Sequence, residues 1–438
     1  MTTVLMSTFG SYGNTAPFLR LGEELVARGH DAHLWTNYPL ERISRPQGLA
    51  MHSLGGSQDY KQFINDAGLL NRFESLPTVF RRHYLPAAEL EFSGMEKQFQ
   101  RGSTLVVSSD APGIAARLMA EKYSTPLISV FSYPSQLHSA SLIGALLAGP
   151  LRGEMTRLRT SVGLGEDFEG SSWWNQPHHY FALWPAWFGR NDIANVAKVS
   201  FPSFLFYDPE PEMPNDCEVF LGHSVQCVLV TGGSAGFSDE TFLKAAVLAI
   251  RSAGLRAIVV SPIAIDEAYD IQQMDRVPSL SVIMRRVAAI IHHGGMGTIG
   301  QALQAGIPQL ILADGGDRPE NGEIVQHLGL GQLLRRADWQ PSRLRGALLE
   351  LLNSASIREA TALRAQQLDA SRGLDAAVSV LERMADRALL AESCVYTGSR
   401  TKTVPDRHAG HPRVSELLSG LSPERRYLLM QALRSRDS

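Results

Sequence analysis

The stretch AAIIHHGGMGTIGQAL, residues 288–303, runs from branched apolar residues, through paired histidines and glycines, into a helical pattern of small residues. An apolar run that ends at a glycine-rich turn is typical of a buried strand followed by a helix. The free N–H groups and the positive dipole end of such a helix favour an anion, and glycines let phosphate oxygens approach the backbone. The stretch therefore predicts a phosphate site at a strand-to-helix turn.

A second glycine-rich turn, TGGSAG at residues 231–236, follows the apolar strand pattern of residues 226–230. One such turn alone is weak evidence, because glycine-rich strand-to-helix turns are common. Here two occur in one half of the chain, and DGGDRPEN at residues 314–321 adds carboxylates that can accept hydrogen bonds from sugar hydroxyls. We expect the two turns to hold the two sides of a diphosphate.

The whole chain repeats this alternation of strand and helix. A length of 438 residues exceeds what one hydrophobic core usually supports, so two domains are expected. Alternating strands and helices predict parallel, doubly wound sheets with ligands at the carboxyl ends of the strands. We therefore expect an α/β protein with two Rossmann-like domains facing a central cleft. The predicted parts are residues 1–205, a linker at 206–221, a donor-binding domain at 222–387 whose last helix can return to the first domain, and an extension at 388–438.

Composition narrows the possible partners. The chain has 41 Lys and Arg against 44 Asp and Glu, a net charge of −3, which gives no reason to expect nucleic acid or an anionic membrane. No apolar run of about 18 residues and no basic leader is present, so we expect no transmembrane segment and a cytoplasmic location. The three cysteines, at 217, 227 and 394, lack metal-site spacing, so no zinc or disulfide framework is expected.

The motif HHGGMGT, followed by QALQAGIPQL (residues 301–310) and DRPEN (residues 317–321), resembles the donor motif of the GT-B nucleotide-sugar glycosyltransferases of family 1. The resemblance covers most of residues 1–387 and is strongest to bacterial rhamnosyltransferases and antibiotic, or natural-product, glycosyltransferases. It implies an inverting, metal-independent transfer from a dTDP- or UDP-sugar to a small natural product or lipid. The nucleotide sugar is then a co-substrate, and no cofactor is expected.

The resemblance also assigns residues. It places phosphates at His292 and at the backbone of residues 294–298, and it places the nucleobase at residues 276–281. Arg318 follows Asp317 where the family usually has Gln, which indicates an unusual donor sugar. The implied donor-binding residues are Gly233, Ser234, His292, His293, Gly294, Gly295, Gly297, Thr298, Asp317, Arg318 and Asn321.

The catalytic base is the main departure from the family. The N-terminal loop carries Asn14 where the family has His or Asp, and a carboxamide cannot serve as a general base at neutral pH. Asp110, at the end of a strand, matches the family's supporting carboxylate, although an Asp there also suits a helix N-cap. His138, His178 and His179 are further candidate bases, each with the alternative of a satisfied structural histidine.

Four tryptophans, Trp173, Trp174, Trp184 and Trp187, fall within one short segment, although the chain has only 6. Their aromatic faces suit a hydrophobic acceptor. Packing beneath an interdomain connection explains them equally well, so both interpretations stay open.

Two further questions stay open. The end of the chain carries an amphipathic helix pattern after Ser422 and Pro423, which predicts either packing on its own protein or docking of a biosynthetic partner. Besides a transferase, the chain could be a non-catalytic helper that binds nucleotide sugars, which Asn14 favours, or a nucleotide-sugar epimerase on the same fold. An epimerase needs no acceptor pocket, so the tryptophan segment argues mildly against it.

Overall fold

The computed structural model describes residues 1–71, 73–189, 198–209, 212–222, 225–233, 240–265, 270–275 and 279–395. Within these ranges the chain forms two parallel sheets, in agreement with the predicted α/β class. Alternate residues of the strands enter different apolar clusters, so both faces of each sheet are buried beneath helices or loops.

The N-terminal sheet has seven strands in the order β3-β2-β1-β4-β5-β6-β7. Its central strand β1 pairs with β2 on one side and β4 on the other, and Ser7 of β1 lies opposite Ser108 of β4. The strands are β1 (Thr3–Thr8), β2 (Asp31–Thr36), β3 (Ala50–Ser53), β4 (Thr104–Ser109), β5 (Leu127–Phe131), β6 (His179–Ala182) and β7 (Val199–Ser200).

The α-helices of this half range from 4 to 16 residues in length. Between β3 and β4 the chain inserts several short helices, including a single π-helical turn at Phe80–Tyr84. The α-helices of this half are α1 (Tyr12–Ala27), α2 (Ser57–Asp66), α3 (Leu76–Val79), α4 (Leu85–Gln98), α5 (Ile114–Tyr123), α6 (Gln136–Ala148), α7 (Arg152–Ser161) and α8 (Gly170–Trp174).

The C-terminal sheet has six strands in the order β10-β9-β8-β11-β12-β13. The predicted strand pattern at residues 288–291 forms its central part and pairs with strands on both sides. The strands are β8 (Cys227–Thr231), β9 (Arg256–Val260), β10 (Ile271–Met274), β11 (Ala289–His292), β12 (Gln309–Ala313) and β13 (Gly331–Arg335). The helices are α9 (Asn215–Leu221), α10 (Glu240–Ser252), α11 (Leu280–Met284), α12 (Met296–Ala305), α13 (Arg318–His327), α14 (Pro341–Asn353), α15 (Ala355–Gln367) and α16 (Ala370–Val395).

The last described helix, α16, packs on the N-terminal half. Leu374, Val378 and Leu381 are buried in the same apolar cluster as Val4 and Met6 of β1. Its polar side is joined to the start of the chain through Arg28 to Asp375 and through His30 to Glu382. The helix therefore connects the two halves a second time, in addition to the linker that follows β7.

Candidate functional site

The predicted donor turn, residues 292–298, begins at His292, where β11 ends, and continues into α12, which starts at Met296. Gly294 has a φ of +92°, which favours glycine, and a Cβ there would lie 3.0 Å from the carbonyl oxygen of Arg318. Gly297, in the first turn of α12, is exposed, and a Cβ added there would meet no atom within 4 Å. The N-terminal end of α12 is thus open on one side, as an anion site requires.

His292 supports this turn from inside. It is fully buried, its Nδ1 accepts a hydrogen bond from the Gly294 N–H at 3.2 Å, and its Nε2 lies 3.1 Å from Oε1 of Gln309. Since Nδ1 is the acceptor, Nε2 carries the proton and donates to Gln309. Burial lowers the pKa of His292 to about 4, so the ring is neutral at neutral pH. Neither ring nitrogen is left for a phosphate, which corrects the role expected of His292.

His293 occupies the space between the two glycine-rich turns. A Cβ on Gly233 would lie 2.4 Å from its Cε1, and a Cβ on Gly295 would lie 2.4 Å from its Nε2. Among the described residues its buried Nδ1 has no hydrogen-bond partner. Burial, reinforced by His292 and Arg318, lowers the pKa of His293 well below its usual value. Gly233, the last described residue of the second turn, therefore faces Gly295 across a neutral imidazole. Ser234, assigned to the same turn, lies outside the described residues.

The third predicted element, residues 314–321, lies beside the donor turn. Asn321 is almost fully buried, and its Nδ2 donates to the Gly294 carbonyl at 3.0 Å and to Oδ2 of Asp317 at 2.6 Å. Both amide hydrogens are thereby used, so Asn321 fixes the turn and is not free to bind a sugar. Burial lowers the pKa of Arg318, while the carboxylates of Asp317 and Asp314 oppose that shift.

A cavity of about 250 Å³ lies beside α12, where the linker, α11, α16 and α1 meet. Asp208 of the linker accepts hydrogen bonds from Ser279 at 2.6 Å and Ser281 at 2.5 Å through Oδ2. Ser281 and Gln301 line the cavity together with Asp208. Of the predicted nucleobase pocket, residues 276–278 lie outside the described residues, Ser281 lines the cavity, and Ser279 donates to the cavity residue Asp208.

On the opposite half, Asn14 lies in the first turn of α1. Its Oδ1 accepts hydrogen bonds from the backbone N–H and the hydroxyl of Ser11, both at 3.2 Å. The side chain thus satisfies a free donor at the start of the helix, as an N-terminal capping residue does. This contact gives Asn14 a structural role. Another group must therefore accept the proton that the acceptor loses.

Asp110 belongs to a buried ion pair. Its Oδ1 accepts from Nη2 of Arg117 at 2.7 Å and from the hydroxyl of Ser129 at 2.9 Å. The guanidinium of Arg117 lies 3.7 Å above the ring of Trp174. Oδ2 of Asp110 is buried without a hydrogen-bond partner among the described residues. Breaking such a pair would leave a charge uncompensated in the core, so the predicted catalytic carboxylate also holds the fold.

Two predicted histidine bases lie at the wrong end of the sheet. His178 accepts a hydrogen bond from the N–H of Leu127, the first residue of β5, and His179 is the first residue of β6 and lies 2.9 Å from the Ser200 hydroxyl. Ligands of a parallel sheet bind at the carboxyl ends of the strands, so neither ring faces an acceptor. His138 is in α6, but its side chain lies outside the described part of the structure.

Three of the four tryptophans pack inside the protein. The rings of Trp173, Trp174 and Trp184 are at most 2% exposed and belong to apolar clusters, so they offer no face to an acceptor. Trp173 donates from Nε1 to Glu121 at 2.7 Å, and Trp187 is covered by the guanidinium of Arg364 at 4.6 Å. The acceptor role expected of Trp173, Trp174 and Trp184 is therefore corrected to a structural one, while Trp187 is partly exposed and its acceptor role stays a prediction.

An aromatic cluster that the sequence did not reveal lies at the carboxyl end of β1. The ring of Phe9 is 5.0 Å from the rings of both Phe63 and Tyr84, edge to face. Beside Phe63 lies His83, whose Nε2 is 2.9 Å from Oδ2 of Asp66. These residues come from the end of β1, where Phe9 follows the strand, from α2 and from the π-helical turn, so no local spacing in the sequence could have brought them together.

Two further findings concern membranes and metal ions within the described ranges. In them, no helix combines the length and apolar character that crossing a membrane needs. Nor do the described residues contain a group of three His, Cys, Asp or Glu side chains arranged to hold a metal ion.

Comparisons with known proteins agree with the motif. Residues 266–382 match the family described as erythromycin biosynthesis protein CIII-like, C-terminal domain. The chain is 26% identical over 436 residues to O-mycaminosyltylonolide 6-deoxyallosyltransferase of Streptomyces fradiae, covering 89% of this chain and 99% of that protein. It is 25% identical to glycosyltransferase GtfE of Amycolatopsis orientalis, covering 75% and 85%.

Solved structures share the fold. The calicheamicin glycosyltransferase CalG4 superimposes with a TM-score of 0.66 at 19% identity, covering 88% of this chain and 99% of that one. The glycosyltransferase VinC, solved with DTDP, gives a TM-score of 0.64 at 19% identity and covers 88% and 100%. Both chains align over both sheets, and the two Rossmann-like domains of the GT-B fold are therefore present here.

Proposed function

We propose that this chain, a glycosyltransferase of the antibiotic-biosynthesis type with the GT-B fold, transfers a sugar from a dTDP- or UDP-sugar to a hydroxyl of a small natural product, with inversion at the anomeric carbon. The observation that carries the proposal is the donor turn. An open helix N-terminus at Gly297 lies near His293, and Gly233 of the second glycine-rich stretch contacts the same ring. Relatives along almost the whole chain are named as glycosyltransferases.

In this proposal the diphosphate binds at the N-terminal end of α12. The backbone N–H groups there are free of helical partners and carry the positive end of the dipole. His293, and not His292, supplies the nearby imidazole. The nucleoside extends toward the cavity beside Gln301 and Ser281, while the sugar lies toward Asp317, which is partly exposed next to the turn.

The donor turn also assists the chemistry. The bond from the anomeric carbon to the diphosphate breaks in the transition state, and negative charge develops on the leaving phosphate. The helix dipole and the N–H groups are already oriented toward that charge, so transfer needs no obligatory metal. Activity that is unchanged by EDTA would support this step, and activity that requires Mg²⁺ would oppose it.

The acceptor binds on the N-terminal half beside Phe9, which is partly exposed, whereas Phe63 and Tyr84 are buried and support its ring. Phe9 directly follows β1, and Phe63 and Tyr84 surround it with edge-to-face contacts. Aromatic side chains favour a flat, apolar molecule with few polar groups. We therefore propose a hydroxylated polycyclic or macrocyclic natural product as acceptor rather than a polar sugar or a protein.

Two accompanying proposals rest on sequence alone. Residues 410–438, where a biosynthetic partner could dock, lie outside the described residues. We also place the reaction in the cytoplasm. Recovery of an unchanged set of partners after removal of residues 410–438 would eliminate the docking proposal.

The proposed function is tested with the purified full-length chain. Calorimetric titration with dTDP and UDP measures donor-site binding, and mass spectrometry detects transfer from dTDP- and UDP-sugars to a panel of hydroxylated aromatic acceptors. A product of increased mass, with the inverted anomer by NMR coupling, supports the proposal. Binding without turnover favours the helper protein, an altered free donor favours the epimerase, and absence of nucleotide binding contradicts the donor site.

A further inference from the structure

We propose that His83, supported by Asp66, is the general base that removes the proton from the acceptor hydroxyl. This inference rests on the proposed transfer function. Asn14 cannot act as the general base, and a histidine–carboxylate pair on another segment of the same half takes that role.

The pair has the geometry of a base and its orienting group. Nε2 of His83 is 2.9 Å from Oδ2 of Asp66, which requires a proton on Nε2 when the imidazole is neutral. Nδ1 then carries the lone pair, and among the described residues the hydrogen bond of this ring runs through Nε2 alone. The hydrogen bond from His83 is the main cause that lowers the pKa of Asp66, so the carboxylate stays ionised beside the ring. Arg82 also donates to Asp66 at 3.2 Å.

The pair lies near the carboxyl ends of the strands of the N-terminal sheet, where we propose that the acceptor binds. The His83 ring meets Phe63 edge to face at 5.5 Å, and Phe63 meets Phe9 at 5.0 Å. Phe9 is the first residue after β1, so this chain of contacts runs along the carboxyl edge of the strands. Both side chains of the pair are partly exposed, His83 at 10% and Asp66 at 25%. Phe63 is itself buried, so an acceptor reaches the imidazole through these exposed atoms and not by packing on Phe63.

The backbone at His83 is unusual. Residues Phe80–Tyr84 form a π-helical turn between α3 and α4. Side chains of consecutive residues in a regular helix point about 100° apart, yet His83 and Tyr84 both contact the Phe63 ring. Single π-helical turns are frequent at functional sites. The turn here brings two neighbouring side chains to the same aromatic cluster.

The chemical step balances without any other reactant. The acceptor O–H gives its proton to Nδ1 of His83, and the resulting imidazolium is stabilised by the Asp66 carboxylate. The acceptor oxygen forms the bond to the anomeric carbon. The bond from that carbon to the phosphate oxygen breaks, and its electron pair leaves with the nucleoside diphosphate. The proton later passes from His83 to water.

The test compares two acceptors that differ in their need for a base. An aliphatic alcohol must lose a proton during attack, whereas 4-nitrophenol is largely ionised at about pH 8 and needs no base. His83→Gln should reduce transfer to the alcohol by about 100-fold or more and leave transfer to 4-nitrophenolate within a few-fold of wild type, in line with the usual size of general-base catalysis. Asp66→Asn should show the same pattern with a smaller loss.

His30→Gln is the matched control, because His30 also contacts a carboxylate, Glu382, at 3.3 Å but lies beside the amino end of β2. It should leave both reactions near wild type. If His83→Gln slows both acceptors equally, the pair is only structural; if it slows neither, the base lies elsewhere, and either result overturns the proposal. A wild-type protein that binds dTDP but transfers to no acceptor refutes the proposed function, and the base with it.

Discussion

Adjacent histidines in the donor motif have different tasks, which the sequence alone could not separate. The spacing of HHGGMGT predicted the turn correctly, because glycines and an apolar strand are local signals. It could not show which ring points inward, since that depends on Gln309 in the next strand. The same limit applies to Asn321, whose amide turned out to bind the Gly294 carbonyl.

His292 makes stability depend on pH. An unfolded histidine titrates near 6.5, while the folded pKa is about 4, so the unfolded chain binds more protons between these values. The contribution of His292 is fully present above about pH 6.5 and decreases as the pH falls, by about 3 kcal/mol at pH 4. His292→Asn should flatten this part of the urea-denaturation profile. An identical slope in wild type and variant would contradict the buried, neutral ring.

Glu91 has the opposite effect: it makes the unfolding free energy fall as the pH rises. This residue of α4 is 5% exposed, its Oε1 lacks a hydrogen-bond partner among the described residues, and burial raises its pKa to about 7. The folded chain keeps a proton that the unfolded chain releases above pH 4.5, so stability is lost as the pH rises from 4.5 to 7.

Glu91→Gln should therefore raise the unfolding free energy by up to about 3 kcal/mol at pH 7 and by little at pH 4.5. Chemical denaturation of wild type and variant at pH 4.5 and pH 7 measures this difference in unfolding free energy. A variant that is less stable than wild type at pH 7 would show that the ionised carboxylate has an unseen partner.

At the scale of elements, the sequence predicted best what is periodic and local. Strands of branched residues and the turns that end them were located within a few residues, including the turn before α12. The short helices between β3 and β4 were not predicted, because their contacts join residues far apart in the chain. The proposed acceptor site draws residues from those helices, whereas Trp173, Trp174 and Trp184 pack inside.

The open face of α12 permits a substitution that separates binding from folding. A Cβ added at Gly297 meets nothing within 4 Å, so Gly297→Ala should fold normally and stabilise the helix by about 0.5–1 kcal/mol. The same methyl group would stand where the diphosphate approaches the backbone. We expect dTDP binding to weaken about tenfold or more, a change of about 1.4 kcal/mol.

Gly346→Ala is its control. Gly346 lies inside α14, and a Cβ there also meets no atom within 4 Å. This variant should gain similar stability and bind dTDP as wild type does. Equal dTDP affinities for the two variants would place the phosphate away from α12.

For the whole molecule, the packing of the two halves against each other depends on α16, the last described helix. Leu374, Val378 and Leu381 of α16 are at most 3% exposed and pack on the N-terminal sheet. Gly373 lies so close to the Pro202 carbonyl that a Cβ would come within 1.8 Å of its oxygen. The strand and helix pattern predicted two domains, and the contacts of α16 show that they share part of one core.

Truncation tests this dependence. A chain ending at residue 369 should expose the apolar face beneath α16 and lose cooperative unfolding of the N-terminal half, since burying three such side chains stabilises a protein by several kcal/mol, at about 1.5–3 kcal/mol each. A chain ending at residue 395 is the control and should keep the wild-type transition. Equal thermal transitions for the two truncations would contradict the shared core.

The central claim is that a nucleoside diphosphate binds at the N-terminal end of α12 beside His293. A crystal structure of the protein with dTDP tests it most directly. We predict the two phosphates against the backbone N–H groups of residues 295–298, with the His293 ring in contact and His292 still bonded to Gln309. Phosphates bound anywhere else, or in contact with His292 after its bond to Gln309 has broken, would contradict it.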